Sequence, residues 1–279
     1  MPTSGALPLS DIQTEFGGSN PVSLSEYYAG GSYVPSGTSG TNGAVPASGG
    51  ISLSDFYGTS ALFAFNITTN ETNANLRTLA LAAGWDGSTA VGCTINSGVI
   101  ISGNTAGDGT AAMTIDGSFP TGVTLVNNGQ IRGRGGDGGS GASTLAGTPG
   151  GKGGRALTVA VAASIDNQGN IWAGGGGGGS GAATKNTQTG GGGGGQSSNF
   201  NSSGGTRGGS AGTLSAAGSG GVSEFGGDGG NGGAAGAAGS AGAAVGQNAG
   251  GAGGAGGQAV NGNSNITWIN TGSRLGAIV

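Results

Sequence analysis

Residues 226–244 read GGDGGNGGAAGAAGSAGAA. The stretch has one carboxylate, no aromatic ring and nothing larger than Asp or Asn. A segment with so little apolar surface ordinarily stays disordered. Read in threes through residue 258, it runs GGD GGN GGA AGA AGS AGA AVG QNA GGA GGA GGQ. Gly holds the middle place of every triplet except AVG and QNA, and the outer places take almost only small residues. A flexible linker has no reason to keep such a phase. A left-handed extended helix has three residues per turn and a rise of about 3.1 Å, which puts every third residue on one edge. Glycine edges let neighbouring helices come close enough for N–H to bond C=O between them. This is the polyglycine II arrangement, which needs no hydrophobic core and relies on hydrogen bonds, Cα–H contacts and dispersion. The ordering entropy of glycine opposes it, so a bundle is expected rather than a lone helix. Unbroken, 226–258 would reach roughly 100 Å. The chain is therefore expected to fold back where the phase slips, near Val245–Asn248, and at polar inserts. A disordered linker and a collagen-like helix are the alternatives, but collagen needs Pro and the chain has only 7.

The composition fits. Of 279 residues, 73 are Gly, against a usual share of about 7%. Charged residues are few, with 8 basic and 12 acidic, no His and one Cys. Residues 1–76 carry Asp11, Glu15, Glu26, Asp55 and Glu71 without a basic residue, and all the Lys and Arg lie in 77–279. Neither part has the basic patch that nucleic-acid binding requires, so no nucleic-acid partner is expected. Without His, and with Cys93 alone, the usual nucleophile–base pairs and zinc sites are missing. No enzymatic activity, cofactor or metal is expected. GTPGGKGGR (147–155) fails as a phosphate loop because Gly153 follows the Lys. No apolar run is long enough for a membrane helix, and the N-terminus lacks a basic, apolar leader. Synthesis in a cytoplasm without a signal peptide is expected, with no membrane insertion.

Residues 1–60 repeat a phrase, as LPLSDIQTEF (7–16), VSLSEYY (22–28) and ISLSDFY (51–57). Each reads as a short helix, with Ser10, Ser25 and Ser54 as N-caps and Gly17, Gly30 and Gly58 as stops. Ser10 with Gln13 fits a capping box. Such pieces do not make a domain alone. They read as a docking segment ordered by a partner, with Ile12, Phe16, Leu24, Tyr27, Tyr28, Leu53, Phe56 and Tyr57 as attachment residues. A small cap on the protein's own body is the alternative.

Residues 61–134 read as a small β-rich domain with one helix. Strands are expected at 61–68, 89–95, 98–102, 111–116 and 122–126, and a helix at 73–84 capped by Asn73. A repeat follows: LVNNGQIRGRGGDGG (125–139) aligns at an offset of 40 with IDNQGNIWAGGGGGG (165–179). The alignment sets Asn127 on Asn167 and Ile131 on Ile171, each unit being strand, Asn-Gly turn, strand and glycine tract. A fixed period means stacked units. Residues 135–262 are the glycine bundle, interrupted by polar inserts that include 180–189, 196–207 and 213–225. Residues 263–279, with ITWINTGSRLGAIV at their end, form a strand that closes the β part. The fold class is mostly β and irregular, with short N-terminal helices, a small β-rich domain and a polyglycine II bundle.

The phrases SLSEYY and ISLSDFYG, the paired NNGQIRGRGGDGG and NQGNIWAGGGGGG, and the ending ITWINTGSRLGAI resemble glycine-rich bacteriophage tail adhesins. They are similar in particular to the distal long-tail-fibre adhesins of T-even-like phages. The resemblance implies a polyglycine II sandwich whose loops contact a bacterial surface receptor, protein or glycan, and an N-terminal part attached to another phage tail protein. It places the chain in the virion, at the distal tail, where tail symmetry would impose an oligomer. The Ser-Leu-Ser-acid front departs from the T-even adhesins, which implies a different tail component as partner. Rigid scaffolds with variable loops put recognition in the loops. The candidate receptor contacts are Lys185, Gln188, Asn199, Phe200, Arg207 and Phe225. The rival reading is a purely structural tail component without receptor contact; an ice-binding bundle is a remoter one.

Overall fold

The computed structural model describes residues 1–34, 38–87, 89–141, 146–184 and 188–279. Two compact units interleave along the chain. One comprises Met1–Phe65, Arg77–Cys93 and Gly117–Thr124; the other comprises Asn66–Leu76, Thr94–Asp116 and Leu125–Val279.

The first unit opens with α1 (Leu9–Phe16) and 3-10 turns at Leu24–Tyr27 and Leu53–Phe56. A two-stranded ribbon, β1 (Ser39–Gly40) and β2 (Gly43–Ala44), lies between the turns in sequence. The helices begin earlier than expected, at Leu9, Leu24 and Leu53, so Ser10, Ser25 and Ser54 lie inside them. The N-cap positions are Pro8, Ser23 and Ser52. The capping box is not Ser10 with Gln13 but Ser52 with Asp55, whose carboxylate accepts the Ser52 N–H at 2.8 Å. The acid of S-L-S-D stands three residues after the first Ser, the spacing that such a box needs. The repeated phrases also make a core of their own, which corrects the expectation that they cannot. Leu7, Ile12, Phe16, Tyr27, Val34, Val45 and Phe56 cluster and are buried. Phe16 and Tyr27 each meet Phe56 edge-on, at 6.0 and 6.3 Å between ring centres. The Tyr27 hydroxyl donates to Gly17 O at 2.8 Å, which satisfies the ring's polar end in the core. The unit also holds most of α2 (Leu76–Ala82), shorter than expected.

The remaining strands stack in parallel. They are β3 (Phe63–Ile67), β4 (Glu71–Thr72), β5 (Ala74–Asn75), β6 (Val91–Ile95), β7 (Ile100–Ser102), β8 (Met113–Ile115), β9 (Val123–Asn127), β10 (Gln130–Arg132), β11 (Leu157–Val159), β12 (Ala163–Asn167), β13 (Asn170–Trp172), β14 (Gln258–Asn261), β15 (Ile266–Asn270), β16 (Ser273–Leu275) and β17 (Ala277–Ile278). Three five-stranded sheets result, in the orders β3-β6-β9-β12-β15, β4-β7-β10-β13-β16 and β5-β8-β11-β14-β17. Each rung contributes one strand to each sheet in turn. Alternating burial puts one face inside: Ile101, Ile131 and Ile171 stand in register and are fully buried, as are Met113, Leu157 and Val260. The 40-residue offset is one rung to the next, since Ile131 pairs with Ile171. Asn127 and Asn167 are fully buried where the chain turns from one sheet to the next. Asn127 Nδ2 donates to Asn167 Oδ1 at 2.7 Å, and Asn167 Nδ2 donates to Thr271 O at 2.7 Å. Asn73 is not a helix cap. It sits between β4 and β5 with φ 47°, and its side chain bonds Asn104 at 2.6 Å.

The glycine tracts are insertions at one corner of this stack. Each leaves the end of a strand in the second sheet and returns to the start of a strand in the third. One residue stands there between β4 and β5. The connection is 103–112 between β7 and β8, 133–156 between β10 and β11, and 173–257 between β13 and β14. Among the described residues, these insertions contain no helix or ladder strand. Their backbone bonds repeat every third residue. Gly175, Gly178 and Gly181 donate to Gln196, Gly193 and Gly190. Gly176, Gly179 and Ala182 donate to Ala237, Ser240 and Ala243. Gly174, Gly177 and Ser180 donate to Gly154, Gly151 and Thr148. The carbonyls of 174–182 accept in the same rhythm from tracts around 136–139, 227–233 and 251–257. Tract 174–182 thus touches neighbours on all three of its edges, and all its residues are buried. A Cβ on any residue from Gly174 to Gly179 would stand 1.9–2.1 Å from a backbone oxygen, which explains the run of six glycines. Outer tracts touch on fewer edges. In 226–257 the middle-place glycines Gly227, Gly230 and Gly233 bond the centre, while Ala252 and Ala255 in outer places are exposed. The chain reverses at Val245–Asn248, where the phase of three slips, and these two residues exchange N–H···O bonds of 3.0 Å.

Candidate functional site

The insertions reverse at two opposite levels of the bundle. At the strand end lie the turns around 197–202 and Gly236: Ser198 Oγ donates to Gly103 O at 2.6 Å, and Gly236 N donates to Ala173 O at 2.9 Å. At the far level lie the turns 206–208, 222–225 and 245–248. Gly191 N donates to Arg207 O at 3.1 Å, Gly141 N to Thr206 O at 3.2 Å, and Asn248 Nδ2 to Ala183 O at 2.8 Å.

This arrangement sorts the candidate receptor residues. Gln188, Arg207 and Phe225 come together, lining a cleft of about 680 Å³ with Thr189, Val222, Ser223 and Glu224. Asn199 and Phe200 do not join them. They belong to the strand-end turn, where Asn199 N bonds Ser102 Oγ at 3.4 Å and Phe200 N bonds Ser198 Oγ at 3.2 Å. Lys185 lies outside the described residues. Val222, not among the sequence candidates, is 84% exposed beside Phe225 at 75%. A lone apolar residue among Gly and Ser is the signal that could have found it.

Side chain–backbone bonds fix the rim of the cleft, and Gln188, Arg207, Val222, Glu224 and Phe225 are exposed. Ser223 Oγ donates to Gln188 O at 2.6 Å, Gly226 N donates to Ser223 Oγ at 2.9 Å, and Ser223 N donates to an Asp228 carboxylate oxygen at 2.8 Å. Arg207 has φ 70°, a backbone region costly for a side chain-bearing residue and found mostly at functional or tightly determined turns. Among the described residues its guanidinium has no ion pair. The cleft therefore offers a cation, a carboxylate, a flexible amide and two exposed apolar side chains. This chemistry suits recognition. Among the described residues, no cluster of three or more His, Cys, Asp or Glu could hold a metal.

On the flank of the same unit, a recess of about 480 Å³ is lined by Asp137, Thr148, Pro149, Lys152 and glycines. Lys152 and Arg155 both pair with Asp108, at 2.7 and 3.3 Å. The Lys152 hydrogen bond holds the Asp108 carboxyl below its ordinary value. Asp108 thus faces two cations, and the Lys152–Arg155–Asp108 cluster keeps a net positive charge.

The candidate attachment residues divide as well. Ile12, Phe16, Tyr27 and Phe56 are buried in the core of the first unit. Leu24, Tyr28 and Tyr57 are half-buried, and Leu53 is exposed. The Tyr28 and Tyr57 hydroxyls bond Gly49 O and Gly5 O.

The family model for the phage tail fibre adhesin Gp38 matches residues 62–279. Among solved structures, the chain is similar to one from the gp37-gp38 adhesin tip complex of the bacteriophage S16 long tail fiber. The two are 29% identical, with a TM-score of 0.57, over 82% of this chain and 87% of that one. No curated protein matches the chain. With most of its length matched, β stack and glycine tracts included, the chain belongs to the phage tail fibre adhesin family Gp38.

Proposed function

We propose that the chain recognises the host bacterium at the distal tip of a tail fibre, through turns carried at the far end of a polyglycine II bundle. The observation that carries this reading is the convergence of turns 206–208, 222–225 and 245–248 at one end, with Val222 and Phe225 the most exposed large apolar side chains described. The three-residue rhythm of hydrogen-bond partners supports the polyglycine II assignment. A scaffold bonded through its backbone is stiff, so the turns gain affinity from preorganisation. Gln188, Arg207, Val222 and Phe225 form the contact surface, with Phe225 as the aromatic anchor that such surfaces favour. The S16 relative was solved in a gp37-gp38 adhesin tip complex, which supports another tail-fibre protein as partner here. In the first unit, Leu24, Tyr28, Leu53 and Tyr57 form a surface for docking on a tail component, held from beneath by Ile12, Phe16, Tyr27 and Phe56.

The test is adsorption. Full-length chain carrying Arg207→Ala and Phe225→Ala is compared with the parent for binding to intact host cells. Losing two interface anchors costs about 2 kcal/mol or more each, so affinity falls at least a hundredfold. Unchanged binding by the folded variant would favour the purely structural reading or move recognition elsewhere.

A further inference from the structure

Two residues break the small-residue rule of 226–244: Asp228 and Asn231, its only Asp and Asn. Both hold the third place of their triplet, so they share one edge of the tract. Tract 218–223 runs antiparallel beside it, joined by backbone bonds from Gly229 N to Gly221 O at 2.8 Å and from Gly232 N to Gly218 O at 2.9 Å. Two further donors of that tract bond side chains instead. Gly220 N donates to Asn231 Oδ1 at 2.9 Å, and Ser223 N donates to Asp228 Oδ1 at 2.8 Å. The backbone carbonyls of Asn231 and Asp228 serve another tract, accepting from Ser240 N and Ala243 N at 2.8 Å. Asp and Asn are the shortest side chains that carry a carbonyl-type oxygen, and here that oxygen stands in for a backbone one.

We propose that Asp228 and Asn231 are positioning residues for the turn 222–225, with Asp228 the principal one. The proposal rests on reading the far-end cleft as the receptor site. Asn231 fixes the base of the turn at Gly220, and Asp228 fixes Ser223 inside it. Ser223 is the hub: its Oγ donates to Gln188 O and accepts from Gly226 N, so one side chain ties the Gln188 backbone to the turn. Its N–H completes that hub through Asp228. Val222 and Phe225 are 84% and 75% exposed, so packing does little to aim them and the backbone must. Gly220, Gly221, Gly226 and Gly227 flank the turn, and glycine restrains a backbone least of all residues. Such a turn samples several orientations unless it is bonded, and apparent affinity falls with the fraction in the competent one. Asp228 thus acts on the contact residues through the turn.

The test compares full-length chains carrying Asp228→Ala, Asp228→Asn or Asn231→Ala with the parent, in binding to intact host cells and in amide hydrogen exchange. Asp228→Ala should weaken binding about tenfold, the loss expected when about one turn in ten is correctly set, and mainly through faster dissociation. It should speed exchange of the 223–226 amides while those of 174–182 keep the parent's rate. Asp228→Asn keeps the acceptor oxygen and drops the charge, so it should bring binding back to within about twofold of the parent. Asn231→Ala, at the base of the turn, should weaken binding less than Asp228→Ala. Parental binding by a folded Asp228→Ala chain overturns the proposal. So does an Asp228→Asn chain that binds as weakly as Asp228→Ala, because the charge itself would then contact the receptor. If Asp228→Ala loses protection at 174–182 and so fails to fold, Asn231→Ala decides, and parental binding by that variant overturns the proposal. If Arg207→Ala with Phe225→Ala leaves binding unchanged, the receptor reading falls, and exchange at 223–226 still decides whether Asp228 sets the turn.

Discussion

Replacing Gly176 with Ala tests the packing of the bundle at its centre. Gly176 does not have a positive φ, so Ala tolerates its backbone conformation and any cost is steric. The added Cβ would stand 1.9 Å from Gly254 O, 2.5 Å from Gly254 C and 2.8 Å from Ala255 O. These atoms are backbone and cannot rotate away. Restoring an ordinary 3.4 Å contact moves the 251–257 tract by about 1.5 Å. That shift breaks the bond from Gly254 N to Gly177 O, now 2.7 Å, and the bond from Gly239 N to Gly254 O, now 2.9 Å. Each lost bond costs about 1 kcal/mol, and about 1–3 kcal/mol where a buried group is left without a partner. Ala also restricts the unfolded chain, which returns about 0.4–1 kcal/mol. The steric term wins, and a net loss of about 2–5 kcal/mol is expected. For a unit of this size that lowers Tm by roughly 10 °C. Differential scanning calorimetry of the full chain, with Ala252→Ser at an exposed outer place as control, measures it. The control should stay within about 0.5 kcal/mol of the parent. A Gly176→Ala chain that melts with or above the parent would refute the close-packed account.

Further outcomes follow from the rest of the molecule. Asn127→Ala takes the side-chain partner from the buried Asn167 Oδ1 and from the Gly129 N–H, and should cost about 1–3 kcal/mol in a denaturant titration. Asp108 has a lowered pKa, so its contribution is present above the unfolded carboxylate value and is lost as pH falls through the folded one. Asp108→Asn should flatten the acid limb of a Tm-versus-pH curve without changing the neutral limb's slope. Burial pushes the Cys93 thiol up to about 12, so at pH 8 it should resist a thiol reagent until the chain unfolds.

Much of the β stack was legible along the chain. Strand pattern, Asn-Gly turns and the 40-residue offset located the rungs, because register in a parallel stack repeats residue types at fixed places. The candidate site was only partly legible. Gln188, Arg207 and Phe225 stood out as side chains among glycines, and they do share a cleft. Phe200 stood out equally, but its turn lies at the opposite end of the bundle. Glycine tracts carry no side chain to encode which neighbour they meet, so neither the direction of a tract nor the end at which an insert emerges is written locally. The aromatic residues of the first unit misled for a related reason: exposure depends on partners distant in sequence, and Phe16, Tyr27 and Phe56 bury one another.

The sequence by itself determined the repeating elements: strand rungs, a glycine phase of three and its slip at Val245–Asn248. Both periods follow from backbone geometry, which acts residue by residue. Only the tertiary structure decided that the glycine tracts leave one corner of the stack, that 174–182 lies at their centre and that Gln188, Arg207 and Phe225 meet at the far end. Those outcomes depend on hydrogen bonds between tracts far apart in the chain.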